Sequence, residues 1–257
     1  MLGILFMMSF VSLGVSTALY PVLTRVRVQR EMEGRVEEVG PVVAVLLRYI
    51  LLLLVPAAFI AGVNSYAFIN VLFGPAYAEF PDAALSFSLL VFAYAAWGIV
   101  YALHSVLRSM GESRFFVVVG VGVIVFEIVV CWFLTGLLGL LGAAITRSVY
   151  VSFLLLASLL RAQQLGVRGL RSLAPDVLKI SVAAAFGSLV CIFMAPTGLV
   201  TLGLGAAGSL AVYLLLLFAS REIRPLDFRV VRHVLPVRLH GLVARIERAY
   251  LGTPSTG

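Results

Sequence analysis

Long apolar runs, broken at intervals by arginine-rich or glycine-containing stretches, set the pattern of this chain. A helix needs ~20 mostly apolar residues to cross ~30 Å of hydrocarbon. Seven runs meet or approach that length: Met1–Leu23, Val42–Val63, Ala83–Leu107, Phe115–Leu134, Leu137–Leu160, Leu178–Met194 and Leu199–Ala219. The sixth is the shortest. None shows the apolar–polar alternation of a membrane β-barrel strand, as Leu51-Leu52-Leu53-Leu54-Val55 illustrates. Backbone groups in lipid must pair within their own segment, so uninterrupted apolar runs imply helices. The pattern therefore predicts an all-α polytopic membrane bundle of about seven transmembrane helices.

The placement of charge supports the same segmentation. Of 19 basic residues, Lys179 is the single lysine. Arg25, Arg27, Arg30 and Arg35 lie between the first two runs, and Arg48 lies a turn or two into the second. Arg108 and Arg114 flank the link from the third run to the fourth. Arg161, Arg168, Arg171 and Lys179 fall between the fifth and sixth, and seven more arginines follow residue 220. The intervening links, including Asn64–Asp82 and Thr135–Gly136, hold none. Basic residues concentrate in cytoplasmic loops. The expected topology thus has an extracytoplasmic N-terminus, a cytoplasmic C-terminus and a location in the cytoplasmic membrane. Arginines follow the Met1–Leu23 run rather than precede it, which is not the order of a secretory signal. The run is read as a first span.

Composition excludes other classes. The chain has 257 residues, of which 62% are hydrophobic and 12% charged, and its mean hydropathy is +1.10. Soluble domains run at ~45–50% and ~25%. A water-soluble enzyme would have to expose that apolar excess, and disorder requires the opposite bias. Cys131 and Cys191 both sit in apolar runs, so neither a disulfide framework nor a metal-spaced cluster is expected. The formal charge of +7 is accounted for by the inner loops and tail, without nucleic acid.

Four regions follow. Residues 1–160 hold five spans, 161–177 form a cytoplasmic linker with Gly166, Gly169 and Pro175, and 178–219 hold two further spans. Residues 220–257 form a basic amphipathic tail, with Leu226, Val230, Val231, Val234 and Leu235 opposite Arg229, Arg232 and His233, suited to an anionic leaflet. Arg25–Glu38 reads as a solvated helical extension. The apolar but short segment Asn64–Phe80 is expected to lie in the outer interface, with a turn at Gly74-Pro75.

Ionisable groups inside a span are functional candidates, because each costs ~2.5 kcal/mol or more unless paired or wet. Glu127 lies well inside the fourth run and Arg147 well inside the fifth, and these runs form a hairpin with almost no loop. Two readings compete: a structural ion pair that locks the hairpin, or an arginine in an aqueous cavity facing an anionic substrate, with Glu127 as counter-ion or proton site. Tyr94, Trp97, Tyr101 and His104 follow at helical spacing on one face of the third run, and Arg108 extends the stripe. Together these seven residues are the candidate substrate-cavity set. An aromatic belt or simple packing is the plainer reading of the stripe. Ser9, Ser12, Ser16 and Thr17 read as helix-packing positions. No paired carboxylates, ligand-spaced histidines, phosphate loop or nucleophile elbow occurs. No catalytic residue, cofactor or metal site is expected, and the chain is not read as an enzyme.

Several segments, in order, resemble one family. These are Ala18-Leu19-Tyr20-Pro21-Val22-Leu23-Thr24-Arg25, Val71-Leu72-Phe73-Gly74-Pro75-Ala76-Tyr77, Leu107-Arg108-Ser109-Met110-Gly111-Glu112-Ser113-Arg114 and Leu138-Gly139-Leu140-Leu141-Gly142-Ala143-Ala144-Ile145. Residues 1–165 resemble the carboxy-terminal lobe of polysaccharide (O-antigen type) lipid-oligosaccharide flippases. These belong to the multidrug/oligosaccharidyl-lipid/polysaccharide exporter superfamily. The tail around Asp227, Val231 and Leu235-Pro236 is similar to the cytoplasmic ends of archaeal members. The resemblance implies two six-helix lobes around a central cavity and often two extra helices. This chain would supply five helices of the second lobe and the extra pair, the first lobe being missing or a separate chain. It implies a membrane transporter for polysaccharide biosynthesis at the cell envelope, with lipid-linked oligosaccharide and membrane lipids as partners. Arg147 departs from the small residues usual in the family at that point. The alternatives are half of a multidrug/toxin cation antiporter of the same superfamily, or a non-transporting membrane assembly subunit.

Overall fold

The computed structural model describes residues 39–165, 167 and 173–220. The expected first span Met1–Leu23, the extension Arg25–Glu38, most of the linker and the basic tail lie outside the described residues. Those described are 91% helical and contain no strand. They form α1 (Val39–Val63), α2 (Ser65–Phe73), α3 (Pro75–Ala78), α4 (Ala83–Ser109), α5 (Ser113–Gln164), α6 (Leu173–Met194) and α7 (Leu199–Ala219). Among them α4, α5, α6, α7 and the Val43–Val63 part of α1 are long and apolar enough to cross a membrane. The all-helical membrane fold is thus present with five such helices, against the seven spans expected for the whole chain.

Part of that difference is a matter of one glycine. α5 runs for 52 residues but is broken at Gly139, whose φ of 57° and ψ of −132° are not helical. Its two halves, 113–138 and 140–164, lie antiparallel. Arg161 reaches Glu112 at 2.7 Å although 49 residues separate them, a distance no straight helix could close at 1.5 Å per residue. A positive φ at this corner strains any residue that carries a Cβ. Just beyond it, Gly142 packs onto the Leu134 carbonyl and the Thr135 amide, where any Cβ would overlap backbone. The expected hairpin exists, but it turns at Gly139 rather than at Thr135–Gly136. Helical hydrogen bonding persists past the point where the apolar run is interrupted.

Two apolar clusters hold the bundle. On α1 the buried residues Val43, Leu47, Ile50, Leu54, Ala58 and Ala61 recur every three or four positions, one helix face. They pack with Phe87, Val91, Leu103 and Leu107 of α4 in the same cluster. Near the other end of α1, Phe59 meets Phe92 edge to face at 5.2 Å. The second cluster joins α4 to the hairpin through Ala93, Val100, Val123, Tyr150, Val151 and Leu154. Links between helices are short, so neighbours alternate in direction. The ends marked by Arg48, Arg108, Arg114 and Arg161 fall on one side, and Asn64–Asp82 and the Gly139 corner on the other. On that second side Gly74, at φ 92°, separates α2 from α3, and Pro75 opens α3. The turn lies where Gly74-Pro75 was expected.

α6 lies beside α1 in the same direction. Asn64 Nδ2 donates to the Ile60 carbonyl at 2.8 Å and to the Ser188 carbonyl at 3.4 Å. α7 returns against α6 on small residues: a Cβ on Gly187 would stand 2.7 Å from the Ser209 carbonyl, and one on Gly205 would stand 3.0 Å from Cys191 Sγ. Small residues of this kind let membrane helices approach closely. Tyr213 Oη donates to the Leu52 carbonyl at 3.0 Å. The first compact unit ends at Tyr213; of the second, the described residues form the last part of α7. The linker expected over 161–177 is entered by helix from both ends, since α5 reaches Gln164 and α6 starts at Leu173 rather than Leu178. Proline is tolerated in a first helical turn, so Pro175 does not delay α6.

Candidate functional site

The corner at Gly139 decides where the intramembrane charges fall. Arg147 lies eight residues past it and Glu127 twelve before it, placing them about 12 Å and 18 Å along their halves. Both are near mid-depth of a ~30 Å hydrocarbon layer. A turn at Thr135–Gly136 would make Arg147 the deeper of the two; the later corner reverses that order. Arg147 Nη1 donates to Glu127 Oε1 at 2.9 Å, and the two side chains keep 25% and 26% of their surface accessible. The pair is formed, then, but not sealed.

Three aromatic rings enclose the guanidinium. Its central carbon lies 4.8 Å from the Trp97 ring centre, 4.8 Å from that of Tyr150 and 5.6 Å from that of Tyr94. Trp97 and Tyr150 are themselves stacked at 5.5 Å, which fixes two walls of the box. A cation over an aromatic face gains roughly 0.5–1 kcal/mol when exposed and ~2 when desolvated. Arginine suits this setting because its planar group can stack on rings and still present N–H donors at its edge. Ser148 stitches the hairpin to α4, its hydroxyl donating at 3.4 Å to the Leu89 carbonyl. Thr146 caps inward to the Gly142 carbonyl at 2.8 Å.

Of the seven residues proposed from sequence, the structure gathers four at one point: Glu127, Arg147, Tyr94 and Trp97. Tyr101 stands at the edge of this group, meeting Trp97 edge to face at 5.3 Å. His104 and Arg108 belong to a second cluster. Both pack on Phe116, His104 at 4.7 Å between ring centres and Arg108 with its guanidinium 5.3 Å from the ring. Seven residues of α4 separate Trp97 from His104, about 10 Å at 1.5 Å per residue. One helix face carries the whole stripe, but different parts of the hairpin meet its two ends. Tyr150 was missed. It lies three residues from Arg147, a spacing that puts both on one face.

A second intramembrane pair was also missed. Arg48 and Asp176 approach to 3.5 Å with side chains only 4% and 9% accessible. Asp176 falls in the first turn of α6, where a negative charge complements the helix dipole. Arg48 alone in an apolar run was the available signal; Asp176 read as linker because Pro175 precedes it.

A scan of protein-family models, a search of curated proteins and a search of solved structures each find no match to this chain.

Proposed function

We propose that this membrane protein is part of a transporter that flips a lipid-linked oligosaccharide across the cytoplasmic membrane by alternating access. In this reading the chain acts as the second lobe of a two-lobed flippase, with its arginine-rich end cytoplasmic. The observation that carries the proposal is the half-open arginine box at mid-depth. A pyrophosphate and its sugars cannot cross hydrocarbon unaided, because their polar groups would lose hydration without replacement. Arg147 supplies positive charge and edge donors for the phosphates, the Trp97, Tyr94 and Tyr150 rings supply flat walls for sugar, and Glu127 balances the arginine between cycles. A site at the bilayer midplane is where rocking lobes can open it to either side in turn. The ordered segments that resemble flippases support the same reading.

The test is flipping of a fluorescent polyprenyl-pyrophosphate oligosaccharide in proteoliposomes holding the chain, alone and with a first lobe. The variant is the double substitution Arg147→Leu with Glu127→Leu, which removes both charges and leaves neither unpaired. The proposal expects the double variant to insert and stay monodisperse while flipping falls at least tenfold, about 1.4 kcal/mol or more. Full activity in a folded double variant would reduce the pair to a structural lock and overturn the proposal.

A further inference from the structure

The hairpin carries a second feature, away from the arginine box. At the open end of α5 a cleft of about 700 Å³ is lined by Glu112, Arg114 and Arg161 at its mouth, and by Val118 and Val119 deeper in. Those two valines also line a second cleft of about 340 Å³, which continues between the halves past Gly122, Val123 and Phe126 to Val149 and Phe153. The two are one groove, charged at one end and wholly apolar at the other. Beside Gly122 the apolar part is open: a Cβ there would meet nothing within 4 Å. Its walls are outward-facing, with Val118 72% and Phe153 55% exposed, on a helix read as lying in hydrocarbon.

Charge at the mouth is net positive. Arg161 is held by Glu112 through two hydrogen bonds of 2.7 Å and 3.2 Å, which neutralise each other. Arg114 is exposed and has no ion pair or hydrogen bond among the described residues. A ligand that fits must bring a negative group to the end of the spanning segment and an aliphatic chain into the membrane beside it.

We propose that this groove binds a membrane phospholipid with an anionic headgroup, the phosphate at Arg114 and one acyl chain between Val118, Gly122 and Phe153. A water-soluble anion would leave the apolar section empty, and a peptide would have to enter from lipid. Basic side chains at a span's end attract anionic headgroups, and a volume of this size is in the range of small-molecule sites, ~300–1,000 Å³. The site does not depend on flipping, since it shares no residue with the arginine box.

The test is native mass spectrometry and thermal unfolding of the full chain in detergent, with added phosphatidylglycerol, phosphatidylcholine or inorganic phosphate. Phosphatidylglycerol should remain bound and raise the unfolding midpoint more than phosphatidylcholine, and inorganic phosphate should do neither. Arg114→Gln should reduce the preference for phosphatidylglycerol about fivefold, the weight of one arginine beside an anionic headgroup. Gly122→Leu, whose Cβ would stand in open space, should reduce retention of both lipids. Val118→Trp blocks the same cleft from an exposed position and should do likewise. Equal retention of the two lipids by the unaltered chain, an effect of inorganic phosphate alone, or unchanged retention in both blocking variants would overturn the proposal.

Discussion

Arg48 and Arg147 are both cations inside apolar helices, and their surroundings assign them different work. Arg48 is closed off with Asp176, their side chains 4% and 9% accessible. Removing one partner strips a buried charge of this ion pair, a loss of roughly 3–5 kcal/mol where such pairs are broken, whereas removing both can be nearly neutral. Arg48→Leu and Asp176→Leu are each expected to lower the thermal unfolding midpoint of the purified protein sharply, and the double variant to recover most of the loss. Additive losses would show that the two residues act separately. Arg147 keeps a quarter of its side-chain surface open and is braced by rings rather than sealed. Arg147→Lys, which keeps charge but loses the stacking plane, should therefore cost only about 1 kcal/mol of stability, the scale of an exposed cation–π contact, and shift the midpoint little. A fall like that of Arg48→Leu would show a structural lock instead. Glu127 and Arg147 were legible in the sequence as lone charges in apolar runs. Asp176 was not, because a proline in a first turn reads the same as a proline in a loop. Tyr150 was passed over because one tyrosine beside an arginine carries no pattern of its own.

At the scale of elements, the hairpin of α5 depends on how closely two backbones meet. Gly142 touches the Leu134 carbonyl with no room for a Cβ, while Gly136, six residues earlier, has nothing within 4 Å of where a Cβ would stand. Gly142→Val should open the corner and pull Arg147 away from Glu127, whereas Gly136→Ala should be tolerated. The distance between spin labels at two positions on the 113–138 and 140–164 halves reads this out; equal distances in both variants would contradict it. Gly139→Ala should be intermediate, since backbone strain at such an angle costs of order 1–3 kcal/mol. The existence of each described span was readable from length and apolarity alone. Its ends were less so. Hydropathy ends where polar residues begin, but α5 breaks where its backbone turns, at Gly139, and α6 is already helical at Leu173, ahead of its apolar run. The expected single stripe on α4 divided for a related reason: spacing along one helix fixes a face, not which neighbour meets each part of it.

For the molecule as a whole, the exposed apolar surface fits only a non-aqueous surround. The outgoing half of α5 leaves Trp132 84%, Val118 72%, Leu137 65% and Ile128 65% exposed, which a surface in water would not sustain. In a bilayer the same side chains are the expected lipid face, and four charged groups within the described spans are matched as Arg48–Asp176 and Arg147–Glu127. Both the flipping proposal and the lipid groove require that the corner at Gly139 and the Arg114–Arg161 end lie on opposite sides of the membrane. The most direct measurement is labelling of single engineered cysteines by a membrane-impermeant maleimide in intact cells, after Cys131→Ala and Cys191→Ala. The exposed positions Tyr77, Leu138 and Gln164 serve as reporters. The account predicts that Tyr77→Cys and Leu138→Cys label from outside while Gln164→Cys labels only after permeabilisation. Gln164→Cys labelling in the same compartment as Leu138→Cys would contradict it.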